Sequence, residues 1–476
     1  MLRRLLDAPT TWFALAALLL AVLLVTQVEV QLPPRSSGGA AELAALPARD
    51  DVSVVFVLID TLRGDRLHSY GHPRETSPTM DYLAETGIRF EHVVAQSSWT
   101  KTSMASLWTS TWPRRHGVLR YNHAVPDEAR MAAEVLRDAG FRTAGLWRNG
   151  WVAPNFGFQQ GFSTYVKPVP SGTPERFQRK TPSSQWLQGT DEDLTEAGRE
   201  FLRSFGRERF FLYLHYMDVH QYAYDEASAK FGTSYSDTYD NAIHWVDRNV
   251  AALVQELTDL DLWRKTIVVI ASDHGEGFRE HGEEGHARTL YREVIDVPWI
   301  VALPFAMEPG VVVREPVANV DVWPTLFELL GVEGFTNVDG RSVLPTIIAA
   351  AGGPAARALE PRPLFAQLDR FWGRPSLPPS PFVRLVEGPW RRIEPIREPG
   401  AVPAAELRTA LFDAHSDPGE QHDLSTATGF AMPPETDASL ARYLADRTPP
   451  WGAAPAEIEL EELELNQLRA LGYAIQ

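Results

Sequence analysis

The chain contains no cysteine. That excludes disulfides, thiolate metal ligands and a cysteine nucleophile, and leaves both cytoplasmic and extracytoplasmic locations open. Lysine is nearly as scarce, with five residues against forty arginines. Positive charge as a whole is outweighed, since 45 Lys and Arg face 62 Asp and Glu for a net charge of −17 at pH 7. A chain of that sign argues against nucleic acid as a partner, because a surface that binds backbone phosphates needs an excess of Lys and Arg.

What is present begins with an apolar run, Trp12 to Val25 (WFALAALLLAVLLV), preceded by Arg3 and Arg4. The uncharged stretch around it, Ala8 to Val28, is just long enough to span the ~30 Å hydrocarbon core of a bilayer, and its positive flank predicts a cytoplasmic N-terminus. Residues 1–30 therefore read as a membrane anchor, with the remainder translocated, in a single-pass protein whose folded part lies outside the cytoplasm. A cleaved signal peptide, and hence a secreted protein, is the competing reading. No small-x-small pattern directly follows Val25, which favours the anchor. Residues 31–51, with Pro33, Pro34, Ser36, Ser37, Gly38 and Gly39 close together, read as a linker.

With 476 residues and 44% hydrophobic content, the chain can bury one large core and a satellite. Strand and helix patterns alternate from Val52 onward. Strands are expected at Val52 to Ile59, Ile88 to Ala95, Phe141 to Trp147, Phe210 to Tyr216, from about Ile267, and at Val297 to Leu303. Helices are expected at Ser77 to Gly87, Ala129 to Ala139, Glu192 to Phe205, Ser236 to Leu260 and Val320 to Leu330. This alternation implies an α/β fold, a large mostly parallel central sheet with helices on both faces. The domain spans residues 52–353. After about Pro354, Pro and Arg become frequent and segments shorten, which implies a small C-terminal α+β subdomain, 354–476, ending in a helix at Ile458 to Leu471.

Two of the buried strands end in the same way. Val52 to Ile59 stops at Asp60, and the run in KTIVVIASDHGE stops at Asp273, followed directly by His274. A carboxylate at the carboxyl end of a buried strand is where open α/β sheets place their chemistry. Asp60 alone could equally be a turn residue. Two strand-end acids and an imidazole together form half of a site for a hard or borderline divalent ion.

Thr100 lies in a loop before a helix expected at Ser103 to Ser110. Backbone N–H groups there favour an anion, and a metal held by Asp60, Asp273, His274 and Thr100 itself would lower the pKa of its hydroxyl. The plainer reading is a helix-capping hydroxyl. Lys101, beside it, could neutralise a transferring anion or be a solvated surface residue, and Arg148 at the end of the Phe141 strand carries the same pair of readings. In LHYMDVHQY, His220 is the candidate site residue, ahead of Asp218 and His215. In DHGEGFREHGEEGHARTLY, His281 and His286 recur within a Gly-rich loop suited to reaching an anion or a second metal, with His286 the stronger candidate.

These segments carry a family resemblance. VLIDTLRGDRLHSYG, the block from SPTMDYLAETG to WPRRHGV, AGFRTAGLWRNGW, SDHGEGFREHG, GHARTLYREVIDVPWIV, LFDAHSDPGEQHDLS and LRALGY together resemble the sulfatase family of the alkaline phosphatase superfamily, in the family's order. The resemblance implies displacement at a sulfate or phosphate ester and one divalent metal ion (Ca, Mn, Mg or Zn), with a second site left open. By position, Asp60, Asp273 and His274 match metal ligands. His220 matches an anion-contacting His, and Arg148 falls where sulfatases keep a Lys.

The signature of the family runs Cys or Ser, any residue, Pro, Ser, Arg. Here those positions are Thr100, Lys101, Thr102, Ser103 and Met104. Sulfatases convert the first residue to formylglycine. Thr cannot give an aldehyde, because its β-carbon already bears a methyl group. A second acid usual after Asp60 is replaced by Thr61, which bears against Ca²⁺. Thr in the first position resembles the phosphoryl-transfer branches of the superfamily. The expectation is thus a metal-dependent hydrolase of a sulfate or phosphate ester, with a phosphate ester or diester favoured, acting on a small-molecule, glycan or lipid substrate. The alternatives are a membrane-anchored phospho-alcohol transferase and a non-catalytic binding protein.

Overall fold

The computed structural model describes residues 35–168, 189–354, 359–374, 376–402, 404 and 407–469. The expected membrane anchor lies outside the described residues, and so does the end of the expected C-terminal helix. Among the described residues, no helix is long and apolar enough to cross a membrane. From Arg35 onward they belong to one compact unit.

Eight strands form the main sheet: β1 (Ser53–Ile59), β2 (Ile88–Phe90), β3 (Arg142–Trp147), β4 (Thr164–Val166), β5 (Phe210–Tyr216), β6 (Thr266–Ala271), β7 (Trp299–Ala302) and β8 (Val311–Val313). Their order is β8-β2-β7-β6-β1-β5-β3-β4. All run parallel except β7, which pairs antiparallel with both β2 and β6. The central strands β6, β1 and β5 are buried along their whole length, as continuous apolar runs must be when both sheet faces are covered.

Helices cover the two faces. On one, Phe56 of β1 stacks on Trp323 at 5.3 Å and lies 6.3 Å from Trp108, so that α2 (Thr100–Thr109) and α6 (Val322–Leu330) close the core there. On the other, α4 (Asp191–Phe205) and α5 (Tyr235–Asp259) pack together, with Gly198 against Leu212 and Leu214 of β5 and Leu253 of α5. Shorter helices α1 (Pro78–Glu85) and α3 (Ala132–Asp138) complete the layers. The C-terminal part contributes a four-stranded antiparallel sheet, β9 (Leu364–Asp369), β10 (Pro381–Glu387), β11 (Trp390–Pro395) and β12 (Ala410–Asp413), with helix α7 (Pro434–Ala445). It is joined to the main core through Gln367, whose N–H donates to the Gln96 carbonyl at 2.8 Å.

The structure departs from the sequence expectations in several places. The expected linker, where described, is not loose: Ala40–Ala45 is helical, and Leu43 and Leu46 are fully buried in the core. The strand expected at Ile88 to Ala95 breaks into β2 and a two-residue strand Val93–Val94. Helix α2 starts at Thr100, three residues earlier than expected, with Trp99 in extended conformation before it. Polar Thr and Ser side chains masked the start, yet every residue of α2 is buried, and tertiary packing overrides their weak helix propensity.

Candidate active site

The parallel strands deliver their carboxyl ends to one place. Asp60 follows β1, Asp273 and His274 follow β6, and Asn149 follows β3, with all four fully buried. Asp60, Asp273 and His274 each offer a ligand atom within 4.8 Å of the others.

Hydrogen bonding leaves one oxygen of each acid without a partner and directs one imidazole nitrogen at them. Asp60 Oδ2 accepts from Asn149 Nδ2 at 2.6 Å and lies 3.0 Å from His215 Nε2, while Oδ1 is buried with no partner. Asp273 Oδ1 accepts from the N–H groups of Thr61 at 3.4 Å and His274 at 3.0 Å, while its Oδ2 has none. His274 places Nδ1 3.0 Å from the Gly275 carbonyl, which only accepts, so Nδ1 carries the hydrogen and Nε2 keeps its lone pair. Nε2 faces Asp273 Oδ2 at 3.4 Å and Asp60 Oδ1 at 3.8 Å. Thr61 holds a left-handed backbone with φ of 63°, strained for a β-branched residue, and in that conformation its N–H meets Asp273.

Two orphaned carboxylate oxygens and an imidazole lone pair in a buried cluster fit a divalent cation. The electrostatics agree. Burial and the nearby Asp60 charge raise Asp273 to about 7. Burial works in the same direction on Asp60, but the hydrogen bond from His215 and the surrounding imidazoles hold it well below the usual carboxylate range. Burial lowers His274, which keeps it neutral and able to ligate.

Thr100 stands at the rim of this cluster. Its Oγ1 lies 3.1 Å from His274 Nε2 and accepts from Asn149 Nδ2 at 3.4 Å. The Asn149 amide is fixed from behind, since its Oδ1 accepts from Trp151 N at 2.8 Å. The hydroxyl therefore faces the ligand atoms instead of capping its own helix. Around it, the rings of His274 and His286 are 4.5 Å apart and those of His286 and His220 4.9 Å. Glu276 Oε2 stands 3.2 Å from His286 Nδ1. Burial lowers His286 to about 4, lowers His220 as well, and raises Glu276 to about 7.

The sulfatase family model matches residues 53–332, more than half of the chain and all of the strands that build this cluster. The chain belongs to the sulfatase family. It is 32% identical to rat (Rattus norvegicus) steryl-sulfatase over 46% of its own length and 41% of that protein, so it spans less than half of that relative. To bovine (Bos taurus) arylsulfatase A it is 26% identical over 65% of its length and 70% of the relative. The fold is shared with the phosphonate monoester hydrolase of Agrobacterium radiobacter, with a TM-score of 0.65 and 16% identity over 86% of this chain and 100% of that one.

Against the sulfatase signature, the departures have structural counterparts. Met104, in the Arg position, is fully buried in the core. Ser103 keeps a site role of its own, donating its hydroxyl to the Asp273 carbonyl at 2.6 Å.

Two of the expected site residues lie elsewhere. Lys101 is fully buried, not solvated, with Nζ 3.9 Å from the centre of the Phe156 ring and 4.9 and 5.2 Å from the rings of Trp151 and Trp99, and it donates to the Tyr121 carbonyl. Burial without a carboxylate partner drives its pKa far down. The amino group enclosed in that way packs among aromatic rings and is turned toward the Tyr121 carbonyl. Arg148 is also buried, with Nη1 2.7 Å from Asp191 Oδ1 and 2.6 Å from Asp218 Oδ1. The guanidinium is directed to those acids, which also accounts for Asp218. His281 sits between Glu293 Oε1 and the Glu420 carbonyl, both at 2.8 Å.

Asn149 and Glu276 also belong to this cluster, through Asp60 and His286, and His215 contacts Asp60 directly. The strand-end rule that found Asp60 applies equally to Asn149, one residue past Arg148. Glu276 stands two residues after His274 in the same motif.

Proposed function

We propose that this sulfatase-family chain is a metal-dependent ester hydrolase that uses Thr100 as its nucleophile on a phosphate ester or diester, outside the cytoplasm. The observation that carries this reading is the position of Thr100 Oγ1, 3.1 Å from His274 Nε2 beside the unpartnered oxygens of Asp60 and Asp273. A divalent ion held by those three residues would supply Lewis acidity and depress the pKa of the hydroxyl.

Thr100 Oγ forms a bond to phosphorus as the bond to the departing alcohol breaks, the hydroxyl proton being lost and one taken up by the alkoxide. Water then attacks the phosphothreonine and restores the hydroxyl. Both steps are open to a phosphoryl group, whereas the aldehyde collapse used with formylglycine is closed to Thr. Asn149 orients the nucleophile, and the neutral rings of His220 and His286 supply N–H donors for the ester oxygens. The N-terminal apolar run with its arginine flank supports a location on the outer side of a membrane.

The test uses the full-length chain with nitrophenyl phosphate mono- and diesters and nitrophenyl sulfate, in Mn²⁺, Zn²⁺ or Ca²⁺. The expected result is metal-dependent release from a phosphate ester that Thr100→Ala abolishes. Activity that survives Thr100→Ala but not Asp273→Ala would remove Thr100 from its role. Sulfate cleavage alone would overturn the phosphate assignment.

A further inference from the structure

Behind Asp60 runs a line of side chains that the proposed chemistry does not use. Tyr213 and His215 are two apart on β5, so their side chains share one face, and His215 is in register with Leu58 of the neighbouring β1. The Tyr213 hydroxyl is 2.6 Å from His215 Nδ1, and His215 Nε2 is 3.0 Å from Asp60 Oδ2. All three residues are fully buried. A carboxylate can only accept, so Nε2 carries the ring hydrogen, and Nδ1 accepts from the phenol. Tyr213 thus fixes the tautomer of His215, and His215 fixes Asp60.

The consequence is a count of available oxygens. Oδ2 of Asp60 is occupied by two donors, His215 and, at 2.6 Å, Asn149, which leaves Oδ1 as its single ligand atom. Asp273 is restricted in the same way, its Oδ1 being taken by two backbone N–H groups. Asp60, Asp273, His274 and Thr100 therefore offer two single carboxylate oxygens, one imidazole nitrogen and one hydroxyl. Ca²⁺ prefers six to eight oxygens, often with a bidentate carboxylate, whereas imidazole with few oxygens suits a first-row ion.

We infer that Tyr213 and His215 are positioning residues that hold Asp60 as a one-oxygen ligand and so set the preference of the site for a first-row ion such as Mn²⁺ over Ca²⁺. This rests on the metal-dependent reading above. Both act through Asp60.

The experiment is calorimetric titration of the chelator-stripped full-length chain with Mn²⁺ alone and with Ca²⁺ alone. The wild type binds Mn²⁺ more tightly. His215→Phe removes one of the two donors on Oδ2, weakens Mn²⁺ by about 10- to 100-fold as loss of an outer partner does, and leaves Ca²⁺ unchanged or tighter. Tyr213→Phe, which removes only the hydroxyl, shifts the ratio of affinities the same way by less, and it decides the matter alone if His215→Phe does not fold. A ratio within about twofold of wild type in the folded variants overturns the inference, even where they melt earlier, because the residues are then structural only. A wild type that binds Ca²⁺ more tightly also overturns it while leaving the metal reading intact. A wild type that binds neither ion overturns both.

Discussion

Two buried polar clusters lie at the same edge of the sheet, and they are finished differently. Around Arg148, all four carboxylate oxygens of Asp191 and Asp218 have donors: the guanidinium, the N–H groups of Met217, Asp218 and Asp191, and Trp245 Nε1. Around Thr100, Asp60 Oδ1 and Asp273 Oδ2 have none. Both clusters hold two acids, but only one holds its own cation. Burial and the Asp218 charge raise Asp191 to about 7, and the salt bridges to Asp191 and Asp218 outweigh burial to raise Arg148. The difference teaches that buried acids whose oxygens are all paired by groups of the chain brace the fold, whereas acids with oxygens left over are prepared for a cation not in the chain.

The comparison breaks most visibly at the open cluster. Asp273→Ala, or chelation of the wild type, is expected to reduce phosphate-ester hydrolysis by about 10³-fold or more with little change in thermal stability, measured as nitrophenol release beside a melting curve. The closed cluster should respond the other way. Arg148→Met leaves two acids buried without a cation and is expected to cost about 3–5 kcal/mol of stability, read from denaturant unfolding, with metal affinity retained wherever the protein is folded. If Arg148→Met instead abolished turnover in a protein as stable as wild type, the division of roles would be wrong.

Asn149 joins the two, since it follows Arg148 in sequence and donates to Asp60 and Thr100. Asn149→Ala is expected to lower kcat by about 10- to 100-fold with a small effect on KM, which steady-state kinetics will separate.

The smallest effect concerns His281. Its two ring nitrogens face acceptors, Glu293 Oε1 and the Glu420 carbonyl, while Gln421 Nε2 lies 3.2 Å from Nε2 and Tyr291 stacks on the ring. Burial opposes the charge, but the hydrogen bond and charge of Glu293 prevail and raise the pKa. A group whose folded pKa is raised contributes stability in full below its unfolded value of about 6.5, and that contribution is lost as pH rises through the folded pKa. Melting midpoints across that range should fall more for wild type than for His281→Gln.

Much of this was legible in the sequence because burial on both faces forces a continuous apolar run, and the end of such a run marks the end of a strand. Asp60, Asp273 and His274 were found by that rule, and β5 was bounded to the residue. Arg148 and Lys101 turn to partners that the sequence did not reveal, because a cation in a sequence carries no record of its partner. Asp191 lies 43 positions from Arg148, and the aromatic rings that enclose Lys101 come from its own flank and from the segment around Trp151. The start of α2 was missed since Thr and Ser favour caps and turns until packing buries them.

The sequence by itself determined the family, the α/β alternation and the closure of formylglycine chemistry at position 100, because these depend on residue type and order: a threonine cannot become an aldehyde in any fold. Only the tertiary structure decided which polar atoms remain unpaired. That follows from hydrogen bonds between residues far apart in the chain, such as His215 with Asp60 across 155 positions, and each bond made on one side of a carboxylate assigns the other side to a ligand.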